Sequence, residues 1–186
     1  LLNLDQIRKL LSSEISPYAK EPNTKYAAVL IVISGQDLKT IMTQKPMTMQ
    51  QHAGEISFPG GKLAQDDKDL LDTAIRETEE EIALQISRKQ VIGQLNPVKT
   101  RNSGFTIIPF VSALEDIPPL RPNPEVEEIL QIPLIPLLQT LSVDDDEEHR
   151  SLFEAYKLTY HNKIIWGASA RMLKQITDIF RQNNLL

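Results

Sequence analysis

No cysteine occurs among the 186 residues of the chain. Disulfide staples, zinc ribbons, iron–sulfur clusters and thiol nucleophiles are therefore excluded. Long hydrophobic runs are also missing. The longest apolar stretch, Ala27–Ile33, falls far short of the ~20 residues that a membrane helix needs. A basic excess is absent as well: 20 Lys and Arg stand against 25 Asp and Glu, a net charge of −5. Phosphate backbones call for a net basic surface, so nucleic acid is not expected as a partner, and without a long apolar run neither is a membrane. What remains is 41% hydrophobic and 24% charged, an ordinary folded composition. On a prior of roughly 150 residues per domain, residues 1–186 form one domain.

The periodicity predicts a helix over Leu1–Ile15, where Leu4, Ile7, Leu10, Leu11 and Ile15 recur at helical spacing, ended by Ser16-Pro17. It reads as an N-terminal extension over about residues 1–16. Tyr26–Ser34 is too apolar for a surface strand and reads as a buried one. Lys39–Thr43 is a return strand, Gln44–His52 a loop, and Glu55–Phe58 a short strand broken by Pro59-Gly60-Gly61. Asp69–Leu84 is the clearest helix, with Leu70, Leu71, Ala74, Ile75, Thr78 and Ile82 on one face. Val91–Val98 and Phe105–Ala113 read as strands. A proline-rich connection over 117–136 holds one ordered piece, Val126–Ile132. Asp144–Glu148 reads as a solvated acidic loop. A hairpin, Leu152–Tyr160 with Ile164–Gly167, and a helix over Ala168–Phe180 complete the chain. Strands mixed with separated helices predict an α+β or three-layer α/β/α domain.

The chemistry concentrates in Gly54–Leu84. A strand ends in a Pro-Gly-Gly loop, the loop feeds a helix, and the helix ends in Arg76-Glu77-Thr78-Glu79-Glu80-Glu81. Glu77, Glu80 and Glu81 stand at i, i+3 and i+4 and so share one helix face. Three carboxylates there repel one another, and a hard divalent cation with oxygen ligands relieves that repulsion. Alone, such a triplet is more often a charged helix surface. Gly60 and Gly61 just upstream permit close backbone approach, and the combination suggests a phosphate–metal site.

This segment resembles the Nudix box, G-x5-E-x7-R-E-U-x-E-E-x-G-U with U a bulky apolar residue. Gly61 matches the first glycine, Arg76–Glu81 the R-E-U-x-E-E core with Thr78 at a U position, and Leu84 the last U. The first glutamate position falls on Asp67 counted from Gly61 and on Lys68 counted from Arg76, so the box holds one extra residue; Asp67 is the choice. Ala83 replaces the penultimate glycine. Upstream, Met42–Gly61 is similar to the signature of coenzyme A pyrophosphatase-type Nudix hydrolases, L-L-T-x-R-S-x3-R-x3-G-x3-F-P-G-G-x2-D. Thr43, Gly54 and Phe58–Gly61 fall in register, whereas Lys45, Pro46, Gln50 and Ala64 replace arginine, serine, arginine and aspartate.

The resemblance implies a Nudix-type α/β/α sandwich with a mixed central sheet. It implies metal-dependent hydrolysis of a nucleoside-diphosphate-linked small molecule, with CoA or an acyl-CoA as the best single candidate and Mg²⁺ or Mn²⁺ as cofactor. By the match, Glu77, Glu80 and Glu81 are metal ligands, Glu80 and Glu81 belong to the catalytic set, and Arg76 and Asp67 are structural. A general base on a later loop falls on Glu125, ahead of Glu128. Lys45, His52, Gly60, Gly61, Lys62 and Arg101 are the expected substrate contacts. Alternatives are a pyrophosphatase for ADP-ribose, NADH or dinucleoside polyphosphates, and a Nudix module that binds a nucleotide without cleaving it. A cytoplasmic location is expected, since no sorting signal is visible and the last residues are not of the Ser-Lys-Leu type. A homodimer is left open.

Overall fold

The computed structural model describes residues 2–50, 52–100, 103–147, 149 and 155–186. Helix α1 spans Leu4–Leu11, capped by Asn3 and Gln6 bonding to each other's backbone N–H. Strand β1 (Lys25–Ser34) runs through the middle of the molecule and pairs in parallel with β7 (Phe105–Leu114) over all ten residues of each. Strand β2 (Lys39–Gln44) folds back on the end of β1, and β3 (Ile56–Ser57) and β8 (Glu128–Pro133) both pair with β2. Strand β4 (Gly60–Lys62) lies antiparallel to the first half of β1. Strands β5 (Val91–Gln94) and β6 (Val98–Lys99) flank β7 on its far side. The sheet is therefore mixed, with one parallel pair at its centre.

Residues of β1 alternate between two cores, which is why the strand reads as an unbroken apolar run. Ala28, Leu30 and Val32 pack with Ile108 and Phe110 under helix α2 (Leu70–Ile82), through Leu70, Leu71, Ala74 and Ile82. Ile31 and Ile33 face the other way. They meet Ile7 and Leu11 of α1, Leu134, Leu137 and Leu138 of α3 (Leu134–Gln139), and Met172, Leu173, Ile176 and Phe180 of α4 (Gly167–Gln182). The layers are α2, sheet, then α1, α3 and α4: an α/β/α sandwich. A small sheet of β9 (Ser142–Val143), β10 (Tyr156–Tyr160) and β11 (Lys163–Ile165) adjoins α4. Among the described residues, no helix is long and apolar enough to cross a membrane.

Several boundaries differ from the sequence reading. The first helix ends at Leu11 rather than near residue 16. The Ser13 hydroxyl donates to the Gln94 carbonyl at 3.0 Å and accepts from Gln94 N at 2.8 Å, which draws this segment onto β5 in extended form. Ile7 and Leu11 are buried, so α1 packs into the core. The short strand β3 does end before Pro59, but Gly60-Gly61 then open a further strand, β4, because a backbone without Cβ can lie flush on β1. The single strand expected over Val91–Val98 is two, β5 and β6. Asp144 is buried rather than solvated: its carboxylate contacts His149 Nδ1 at 2.9 Å, and the His149 ring stacks on Trp166 with centroids 4.0 Å apart. The expected start of the hairpin, Leu152, lies outside the described residues, as does Glu148.

Helix α2 is built for its place. Asp69 caps it, accepting from the N–H groups of Leu71 and Asp72. It stops at Ala83, whose φ of 58° is left-handed and whose N–H donates to Glu79 O at 2.9 Å. That conformation suits glycine, since a Cβ there clashes with the following carbonyl. Ala83→Gly should therefore raise stability by about 0.5–1 kcal/mol, less the added flexibility of the unfolded chain. Urea unfolding with an unchanged slope measures it; a lower midpoint in the variant would contradict the account.

Candidate active site

The site starts from β4. A Cβ on Gly60 would lie 2.2 Å from Ala28 O, and one on Gly61 would lie 2.3 Å from the Glu77 carboxyl. The Gly60 contact, against backbone, is one that no other residue allows, while a side chain at Gly61 would have to displace the Glu77 carboxylate. Gly60 presses the strand onto β1, and Gly61 presses it onto the acidic face of α2.

That face is held by Arg76. Its Nε and Nη2 fork onto the two oxygens of Asp67 at 2.8 and 2.9 Å. Its Nη1 donates to Glu77 at 2.9 Å and to Glu80 at 3.2 Å. Asp67 also accepts from Ala64 N and the Thr73 hydroxyl. The bond from Arg76, more than offsetting burial, holds the Asp67 carboxyl down at about 2. Arg76 in turn is pushed up, mainly by Asp67. The extra residue in the box lies between this aspartate and arginine, and it leaves their fork intact.

Glu81 is the most deeply buried of the three acids. Its side chain is 4% exposed, and burial pushes its pKa up, against the opposing pull of Lys45. Lys45, at the end of β2, donates to Glu81 Oε1 at 2.8 Å. Glu81 Oε2 is buried and completes no hydrogen bond of good geometry, although the Gly60 backbone N–H acts on this carboxylate. The proline-rich connection closes over this corner. Asn123 N donates to Glu81 O at 3.0 Å and Arg121 N to Ile82 O at 3.1 Å, which satisfies carbonyls that α2 leaves open at its end. The Asn123 side chain then receives Glu125 N at 2.9 Å. This turn brings the exposed Glu125 carboxylate within 3.9 Å of Lys45 Nζ.

The structure thus gathers Asp67, Glu77 and Glu80 around Arg76, and Glu81 and Glu125 around Lys45, with Gly60 and Gly61 alongside. It places other candidates elsewhere. His52 is exposed and paired with Glu55. Lys62 sends its ammonium over the Phe105 ring at 5.3 Å, while its carbonyl faces Arg76 Nη2 at 3.5 Å. Glu128 pairs with Lys163 at 2.9 Å. Arg101 lies outside the described residues. Sequence reasoning assigned Lys45 to substrate and missed its bond to Glu81, because 36 residues of chain separate the pair.

Among the described residues, no three acidic or imidazole groups already converge as a metal cluster. Glu77 and Glu80 lean onto Arg76, and Glu81 onto Lys45. The donor set nonetheless fits a hard divalent cation: all its ligands are carboxylate oxygens, and the buried Glu81 Oε2 lacks a partner.

The Asp67–Arg76 fork has a pH signature. The Asp67 pKa is lowered on folding, so its contribution is complete above about pH 4 and is lost as the pH falls toward 2. Asp67→Asn should cost about 2 kcal/mol at neutral pH. The gap between variant and wild type should close over that acid window. Urea unfolding at a series of pH values measures it, and a gap that stays constant from pH 7 to 2 would contradict this role.

Comparisons with known proteins agree with the geometry. Residues 24–156 match the model of the NUDIX domain. The chain is 33% identical over 166 residues to the uncharacterized Nudix hydrolase NudL of Photorhabdus laumondii, covering 87% of this chain and 88% of that one. It is 31% identical to a NudL of Yersinia pestis, covering 88% and 83%. Among solved structures, a MutT protein from Methanosarcina mazei Go1 superposes with a TM-score of 0.59 at 16% identity, covering 89% of this chain and 99% of that one. At that identity the likeness speaks for the fold alone. The matching domain and the two relatives show that this chain belongs to the Nudix hydrolase family.

Proposed function

We propose that the chain, acting as one domain, hydrolyses the pyrophosphate bond of CoA or an acyl-CoA. With CoA the products are phosphopantetheine and adenosine 3′,5′-bisphosphate, and the cofactor is Mg²⁺ or Mn²⁺. The observation that carries the reading is Glu81: a buried carboxylate with one unpartnered oxygen, set beside Glu77, Glu80 and the Gly60-Gly61 strand. Glu77, Glu80 and Glu81 would hold the cation. When bound, it neutralises the two phosphates and acidifies the attacking water.

The chain's own residues supply the rest. Arg76 fixes Glu77 and Glu80 while Asp67 fixes Arg76, so the acids are positioned before substrate arrives. Gly61 leaves its backbone open next to Glu77, where a side chain would fill the space. Glu125 is 65% exposed, so water reaches its carboxylate and it is assigned as general base. Arg101 is assigned to substrate phosphates by the resemblance, whereas Lys62, with its ammonium over the Phe105 ring, is not. CoA is favoured over other diphosphates by the Thr43, Gly54 and Phe58–Gly61 frame. Gln50 in place of an arginine favours the second reading, an ADP-ribose, NADH or dinucleoside polyphosphate hydrolase, since one expected cation for a 3′-phosphate is missing.

Parallel incubation with CoA, ADP-ribose and NADH in the presence of Mg²⁺ or Mn²⁺, followed by chromatography of the products, tests the proposal. CoA should be cleaved fastest, excess EDTA should abolish cleavage, and Glu80→Gln or Glu81→Gln should lower turnover by about two orders of magnitude or more. Rapid cleavage of ADP-ribose with CoA untouched would promote the second reading. Full activity in EDTA would remove the metal from the account.

A further inference from the structure

Lys45 occupies a place where substrate contact alone does not explain it. Its side chain is 17% exposed and is drawn inward to Glu81 at 2.8 Å, with Glu125 at 3.9 Å on its other side. A carboxylate buried as deeply as Glu81 needs a positive partner, or its desolvation goes uncompensated. Arg76 does not supply that charge, since its guanidinium is spent on Asp67, Glu77 and Glu80. Lys45 does. It engages Oε1 and leaves Oε2 open.

We infer that Lys45 is a tethered cation that stands in for the divalent ion at Glu81, stabilising the metal-free protein and opposing metal binding. The inference rests on the metal reading above and goes beyond it. Two cations drawn to one carboxylate repel each other, and the lysine is held to the strand while the divalent ion is not. Loading the metal therefore requires Lys45 to loosen from Glu81. Lys45 is then a positioning residue for Glu81 in the metal-free state, and its freed ammonium lies beside the exposed Glu125.

The test is Mn²⁺ binding by the full chain at pH 7.5, without substrate, followed by calorimetry and thermal melting. Lys45→Gln keeps length and a donor to Glu81 but removes the charge. Its metal-free melting temperature should fall below that of wild type, its Mn²⁺ dissociation constant should drop at least tenfold, and its melting temperature should rise more on adding Mn²⁺. Equal or weaker Mn²⁺ binding in Lys45→Gln, with wild type binding normally, would overturn the inference while leaving the metal reading intact. No Mn²⁺ binding by wild type would overturn both. Binding without CoA cleavage would sink only the substrate. Should Lys45→Gln fail to fold, wild type itself decides: in protein carrying ¹³C at the lysine ε-carbons, with the Lys45 signal assigned by its loss in Lys45→Arg, Mg²⁺ should move that signal toward those of solvated lysines. A signal that does not move would overturn the inference.

Discussion

Acidic side chains on one helix face repel, and the site depends on how that repulsion is contained. Arg76, braced by Asp67, contains it for Glu77 and Glu80, and Lys45 for Glu81. The two cations differ in kind. Arg76 is a planar fork that matches Asp67 bidentately and stays charged at any working pH. Lys45 is a point charge on a flexible stem. The guanidinium is thereby suited to a fixed brace and the ammonium to a partner that can be exchanged. A helix carrying the same acids without these cations would be a solvated surface with no defined geometry.

The fold serves this containment. Helix α2 is clamped at its start by Asp69 and by the Arg88 pairs to Asp69 and Asp72, and along its length by Leu70, Leu71, Ala74 and Ile82. Its end is closed by Asn123 and Arg121 from the proline-rich connection. Two glycines let β4 lie between the central strand and the carboxylates. Apart from the local Asp69 cap, these contacts join segments distant in sequence, so the acids keep their places only in the folded chain. The buried Asp144 with the half-buried His149 and Trp166 makes a second polar unit at the small sheet, on elements other than those that build the site.

Much of this was legible in the sequence, for identifiable reasons. Helix α2 and strands β1, β2 and β7 announce themselves through strong periodicity or continuous apolar runs. The acidic helix face and the glycine pair sit within 31 residues, Gly54–Leu84, so local pattern sufficed. Contacts set by long-range packing were not legible. The early end of α1 depends on Ser13 meeting Gln94, and the place of Lys45 depends on β2 running toward Glu81. The strand at Gly60–Lys62 was read as a break, because Pro-Gly-Gly signals a turn unless a neighbouring backbone lies close enough to exploit the missing Cβ. Asp144 looked like one more acid in a run, and only the ring of His149 on Trp166 distinguishes it.

The account's central claim is that the carboxylates of Glu77, Glu80 and Glu81 form one cation site. Anomalous scattering from crystals soaked in Mn²⁺ tests it most directly. The prediction is a single dominant family of peaks lying against those three side chains, with Glu81 contributing Oε2. Mn²⁺ bound only elsewhere on the molecule, with Glu81 still on Lys45, would contradict it.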